Sequence, residues 1–162
     1  MSESWRMIGI AVAVIAGCFL TSADPGAAVP YPVDYREWTH VKTMFIGPQS
    51  KLFEQRGGFH HYYANSKAVE GYRTCKFPDG AVIVDEGLNT REAGGVILEG
   101  SRRTVDVMRK DSRQYSDTGG WGFEHFEGDN QTDRASAQLR QSCFTCHAKN
   151  KDHDFVYSEM RK

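Results

Sequence analysis

Cys143, Cys146 and His147 are the residues of this chain best equipped for chemistry, in the run Cys143-Phe144-Thr145-Cys146-His147. C-x-x-C-H is the spacing of a covalent c-type haem attachment site. Two thiols one helical turn apart can add to the two vinyl groups of one haem, and the adjacent imidazole can then reach the iron. The approach to the motif fits a helix, because Ala135, Leu139, Cys143 and Cys146/His147 recur at intervals of three and four. Asp133 stands where that helix's N-cap is expected.

Two other chemistries use a C-x-x-C. A redox dithiol expects a βαβ context. A structural zinc needs a second pair of ligands, and Cys75, His153 and the scattered histidines offer none at paired spacing. The context favours haem c, one per chain, with Cys143 and Cys146 as attachment points and His147 as the iron ligand.

The N-terminus supports export. Arg6 precedes the apolar run Met7–Leu20, followed by Thr21-Ser22-Ala23 and Gly26-Ala27-Ala28. A basic start, a short apolar core and small residues make a secretory signal over residues 1–23, with cleavage as late as 28. The run falls short of the ~20 residues that span a bilayer. Ile15-Ala16-Gly17-Cys18 also resembles a lipoprotein box with Cys18 as the lipidated residue, although Phe19-Leu20 continue the apolar run and suit ordinary cleavage better. A periplasmic location follows, and haem c is assembled outside the cytoplasm.

Residues 29–162 then form one domain. The net charge of −1 gives no reason to expect a nucleic-acid or anionic-membrane partner. With two cysteines committed to haem, Cys75 is left unpaired, which excludes a disulfide framework and suggests a buried, inert thiol.

Several elements must position the motif. Val29-Pro30-Tyr31-Pro32 should be extended. Asp34 should cap a helix with Tyr35, Trp38, Val41 and Phe45 as its apolar stripe, ended by Gly47-Pro48. Phe59, His61 and Tyr63 alternate with His60 and Tyr62 after Gly57-Gly58, a strand pattern. A short helix is expected around Lys67–Tyr72, and a turn at Phe77-Pro78-Asp79-Gly80. Ala81–Val84, Val96–Leu98, Thr104–Met108 and Gly119–Phe126 read as strands, the last with Trp121, Phe123 and His125 on one face. Asp154–Tyr157 is an apolar remnant placed to pack behind the haem helix. The fold class is α+β: a mostly antiparallel sheet with an N-terminal helix and a C-terminal haem-bearing helix.

Small electron-carrying cytochromes c are helical and carry C-x-x-C-H near the start, whereas here it follows a run of strands. This arrangement resembles the cytochrome P-460 and cytochrome c′-beta family. The resemblance is carried by Tyr35-Arg36-Glu37-Trp38, Phe77-Pro78-Asp79-Gly80, Gly120-Trp121-Gly122-Phe123, the C-x-x-C-H itself and Asp154-Phe155-Val156-Tyr157, and runs from about Tyr31 to Tyr157. It implies a β-sheet protein with haem at one edge, a homodimer, and a five-coordinate iron with one histidine and one open side. Members bind nitric oxide and related small ligands, or oxidise hydroxylamine and pass electrons to a redox partner protein. The oxidising members tie a lysine to the haem edge on the strand after the F-x-D-G turn. Asp85 aligns there, and Asp106 aligns with their distal carboxylate.

His60, His61 and Met108 are the candidates for a sixth iron ligand, against the plainer reading of strand histidines and core filler. Tyr62, Tyr63, Phe59 and Trp121 suit the core, with one or two free to wall the haem. Asp85, Glu86 and Asp106 read as solvated strand ends unless the haem side buries them, in which case they would titrate abnormally. His147 is expected to use its second ring nitrogen on a backbone carbonyl or carboxylate.

Overall fold

The computed structural model describes residues 28–162, so the signal segment and Cys18 lie outside the described residues. Five strands form one antiparallel sheet in chain order: β1 (Thr39–Ile46), β2 (Gly58–Ala64), β3 (Val82–Ala93), β4 (Val96–Lys110) and β5 (Trp121–Glu127). Each strand pairs with the next along the chain, β3 and β4 through the tight turn at Gly94-Gly95 and the others through longer connections, of which those leading into β2 and β3 each carry a helix. Three helices accompany them: α1 (Phe53–Arg56), α2 (Ser66–Thr74) and α3 (Ala137–His147).

The alternation of strand side chains divides the sheet into two cores. On one face Ala64, Ile83, Met108 and Phe123 lie side by side across β2–β5, and Trp121, Ala68, Phe77 and Val156 close over them. On the other, Val84, Val105, Val107 and Phe126 meet Val29 and Tyr35 from the segment before β1 and Tyr115 from the β4–β5 connection. Helix α3 and the C-terminal segment cover the first face.

The sequence expectation of an N-terminal helix is overturned. Tyr35–Glu37 make one 3-10 turn, and the chain then enters β1. Asp34 sits in the left-handed region at φ 57° and its side chain makes no cap. Thr39, Val41, Thr43, Phe45 and Ile46 are strand formers, and pairing with β2 buries Val41 and Ile46. The three- and four-residue spacing of Tyr35, Trp38, Val41 and Phe45 is incidental to that pairing.

Three further expectations change. Val96–Leu98 and Thr104–Met108 are parts of one strand, β4, whose outer half pairs with β3 beyond the rest of the sheet, at Thr90↔Glu99 to Ala93↔Val96. Ser136 caps α3 by accepting from the Leu139 amide at 3.1 Å, whereas Asp133 accepts from the Asn130 side chain; Ala135 precedes the helix and Leu139 is exposed. Cys75 is exposed rather than buried, because it ends α2 in the left-handed conformation at φ 57°.

The turn, helix and strand expected at Phe77–Gly80, Lys67–Tyr72 and Gly119–Phe126 are present. Asn65 caps α2 by accepting from the Ala68 amide at 2.9 Å. Gly71 lets α2 approach the sheet: a Cβ there would lie 2.2 Å from the Phe77 ring.

Candidate functional site

Cys143, Cys146 and His147 emerge from the last turn of α3 onto one cavity of about 500 Å3. A volume of this size suits a cofactor or ligand site. One part of its wall is apolar, with Ile46, Ile83, Met108, Phe123 and Val156; another part is polar, with Arg56, Asp85 and Asp106.

The His147 ring is held from several directions. Its Nδ1 donates to the Phe155 carbonyl at 2.7 Å, leaving Nε2 for a metal. Phe123 and Tyr157 flank it at centroid distances of 5.1 and 5.3 Å. Burial lowers its proton affinity, against the opposing pull of the Phe155 carbonyl, so the neutral, metal-binding form is favoured. Burial also pushes the Cys143 thiol up to about 11.

The carbonyl that holds this ring sits on a strained turn. Asp154 and Phe155 are consecutive non-glycine residues at φ 50° and 66°, a conformation that persists only where the surroundings over-determine it. Here they do. The Asp154 carboxylate accepts from the Phe77 amide at 2.8 Å and from Lys110 Nζ at 2.6 Å, and its carbonyl accepts from Trp121 Nε1 at 2.8 Å. Gly119 at φ 68° leaves room for the Phe155 ring. Phe77-Pro78-Asp79-Gly80, Gly120-Trp121-Gly122-Phe123 and Asp154-Phe155-Val156-Tyr157 thus act on one group: they orient the imidazole of His147.

The polar wall comes from the sheet. Tyr62, Asp85, Asp106 and His125 are successive partners across β2, β3, β4 and β5, so all four project from the same face. Arg56 of α1 pairs with Asp85 and lies 3.8 Å from Asp106. His60 Nδ1 faces Asp85 Oδ1 at 2.8 Å, and its Nε2 donates to the Arg56 carbonyl at 2.7 Å. Asp106 Oδ1 accepts from His125 Nδ1 at 2.6 Å. Burial, then the charge of Asp85, raises the Tyr62 phenol far above its ordinary value, so it stays protonated.

Asp85 and Glu86 are therefore mid-strand and buried, not solvated strand ends, and Asp106 is half-buried on the cavity wall. Glu86 points to the opposite face, where it accepts from Tyr35 Oη (2.7 Å), Arg36 (2.5 Å) and Arg102 (2.8 Å). The sixth-ligand candidates separate. His60 has both ring nitrogens occupied, and so has His61, by Thr43 and Glu99 on the opposite face; Met108 lines the cavity. Sequence reasoning missed Arg56, whose four-residue helix carries no periodic signal.

The residues present fit a haem. Two thiols and an imidazole with one free nitrogen converge on a cavity large enough for a flat cofactor and apolar along one side. Among the described residues lining it there is no lysine.

A family model, Cytochrome P460, matches residues 32–158. The chain belongs to the cytochrome P460 family. Membership makes it a haem-binding cytochrome, and the match spans both the β-sheet and the Cys143–His147 run. No curated protein matches the chain closely.

Proposed function

We propose that the protein is an exported monohaem c-type cytochrome, its haem joined to Cys143 and Cys146, with His147 as the iron's only protein ligand and small nitrogenous molecules such as nitric oxide bound on the open side. The observation that carries this reading is the convergence of both thiols and the Phe155-anchored imidazole on one cavity. A bound haem supplies an iron that accepts a ligand and exchanges electrons. The protein's own part is to hold His147 neutral and oriented, exclude bulk water with Ile83, Met108, Phe123 and Val156, and present Arg56 and Asp106 to the ligand.

Asp106 and Arg56 favour a second reading, hydroxylamine oxidation. A carboxylate in a ligand cavity can accept protons from an N–H or O–H substrate, and an adjacent guanidinium stabilises the charge. The missing lysine weighs against the cross-linked form of that chemistry: a carboxylate at residue 85 cannot make the same carbon–nitrogen bond. A plain electron carrier is the third reading. Export by residues 1–23, with Cys18 as a possible lipid anchor, and assembly as a homodimer are part of the proposal.

Acid–acetone extraction and one optical titration test it. The haem should stay with the protein, and the ferrous form should be high-spin and bind nitric oxide, with no red-shifted ferrous band. Haem in the organic layer refutes covalent attachment. A low-spin spectrum that turns high-spin in Met108→Ala refutes the open site. A haem peptide joined to a lysine-containing peptide refutes simple thioether attachment. N-terminal sequencing and sedimentation of the exported product check cleavage and dimerisation.

A further inference from the structure

The cavity carboxylate Asp106 has a connection to solvent that runs away from the cavity, through the sheet edge. His125 Nδ1 donates to Asp106 Oδ1 at 2.6 Å, and His125 Nε2 donates to Glu127 Oε1 at 2.9 Å. The three side chains go from 28% exposed at Asp106 to 19% at His125 and 75% at Glu127. β5 supplies both His125 and Glu127, two residues apart on one strand face, and β4 supplies Asp106 directly opposite His125. The imidazole is therefore bracketed by two carboxylates, one facing the cavity and one facing water.

We propose that Asp106, His125 and Glu127 form a charge-compensating proton couple, in which a proton taken up by Asp106 in the cavity is matched by one that His125 releases through Glu127 to solvent. The inference rests on the haem reading only in making Asp106 the group that meets a ligand's proton. The protons balance. At the start the ring is an imidazolium between two carboxylates. Protonation of Asp106 at Oδ2 removes the negative charge that holds the second proton on the ring. Nε2 then gives its proton to Glu127 Oε1, which passes it to water, and Nδ1–H stays on Asp106 Oδ1. The cavity gains a proton while its net charge, with His125 included, is unchanged. Run backwards, the couple returns a proton to a ligand.

The electrostatics agree. His125 is raised to about 9, by the Asp106 bond first and the Glu127 bond next, against burial. Arg56 from α1 and Asp85 from β3 bear on the other side of Asp106, and α3 turns Cys143 toward it and Arg140 toward Glu124. His125 is a positioning residue in this scheme, acting through Asp106.

Imidazole NMR of the full haem-loaded chain, held diamagnetic as the ferrous carbon monoxide form, reads the couple directly. In the unaltered protein the His125 midpoint should lie near 9. Asp106→Asn, a neutral stand-in for the protonated acid, should lower it by about two pH units or more, to about 7 or below, a hundredfold loss of proton affinity that lets the ring give up its proton at neutral pH. A smaller fall overturns the proposal. If Asp106→Asn does not fold, Glu127→Gln decides: a fall of roughly half a unit or more supports the couple, and a smaller one overturns it. The titration uses no nitrogenous ligand, so its failure leaves the haem reading standing, and failure of nitric oxide binding leaves the titration intact.

Discussion

Gly119→Ala should damage the haem site without touching it. Gly119 lies at φ 68°, where a β-carbon costs about 1–2 kcal/mol. That carbon would also stand 2.3 Å from Phe155 Cζ and 2.4 Å from Cε2. Carbon contacts rest near 3.5 Å, so the ring must retreat by roughly 1 Å. Overpacking of this kind costs about 1–3 kcal/mol, giving a combined loss of about 2–5 kcal/mol. The displacement has a direction. Phe155 sits at φ 66° between Asp154, pinned by Phe77, Lys110 and Trp121, and Val156 in the core, so a shifted ring carries its carbonyl with it. That carbonyl is the partner of His147 Nδ1. Urea unfolding reads the stability, and resonance Raman of the ferrous protein reads the iron–histidine stretch. Both should move. Adding Phe155→Leu should recover part of the loss, with a coupling of about 0.5–3 kcal/mol. A variant within about 0.5 kcal/mol of the parent, or one destabilised with an unchanged stretch, would refute the argument that Gly119 acts on His147 through Phe155.

Two further predictions concern groups away from the cavity. Glu86→Ala should cost about 3 kcal/mol at pH 7, because it leaves Arg36, Arg102 and Tyr35 around a lost buried carboxylate. Burial works against the charged form of Glu86, but its donors win and hold its pKa below the ordinary 4.5. Its stabilisation is thus fully present above about pH 4.5 and lost as pH falls through the lowered value, so the gap between the urea curves of parent and variant should narrow as the solution is acidified below that point. Cys75→Gly should stabilise the protein by about 0.5–1 kcal/mol in thermal unfolding, since the exposed thiol occupies a left-handed helix end that glycine takes without strain. A lower melting temperature would count against that account.

Local chemistry was readable in the sequence; distant pairing was not. C-x-x-C-H, the Phe77–Gly80 turn and the alternation of Phe59–Tyr63 and Trp121–His125 each depend on neighbours within a few residues, and each stands where it was expected. β1 hides in the sequence because a strand buried at only two positions, Val41 and Ile46, shows no clean period of two. β4 has the sequence pattern of two pieces because its outer half is largely exposed and interrupted by Gly100-Ser101-Arg102-Arg103. The carboxylates depend on distant partners in the same way. Asp85 and Glu86 look like solvent groups until Arg56, His60, Tyr35, Arg36 and Arg102 arrive from elsewhere in the chain.

The clamped turn at Asp154–Phe155 separates two kinds of damage. Thioether bonds at Cys143 and Cys146 would keep a haem in place whatever became of the turn, whereas the aim of His147 depends on Phe77, Lys110, Gly119 and Trp121, none of them in the attachment motif. Lesions at those four positions should therefore leave a red protein of full haem content whose iron is poorly ligated. Haem content alone would pass such a protein as sound, and only the colour in its ferrous state, or its grip on a sixth ligand, would tell it from the native one.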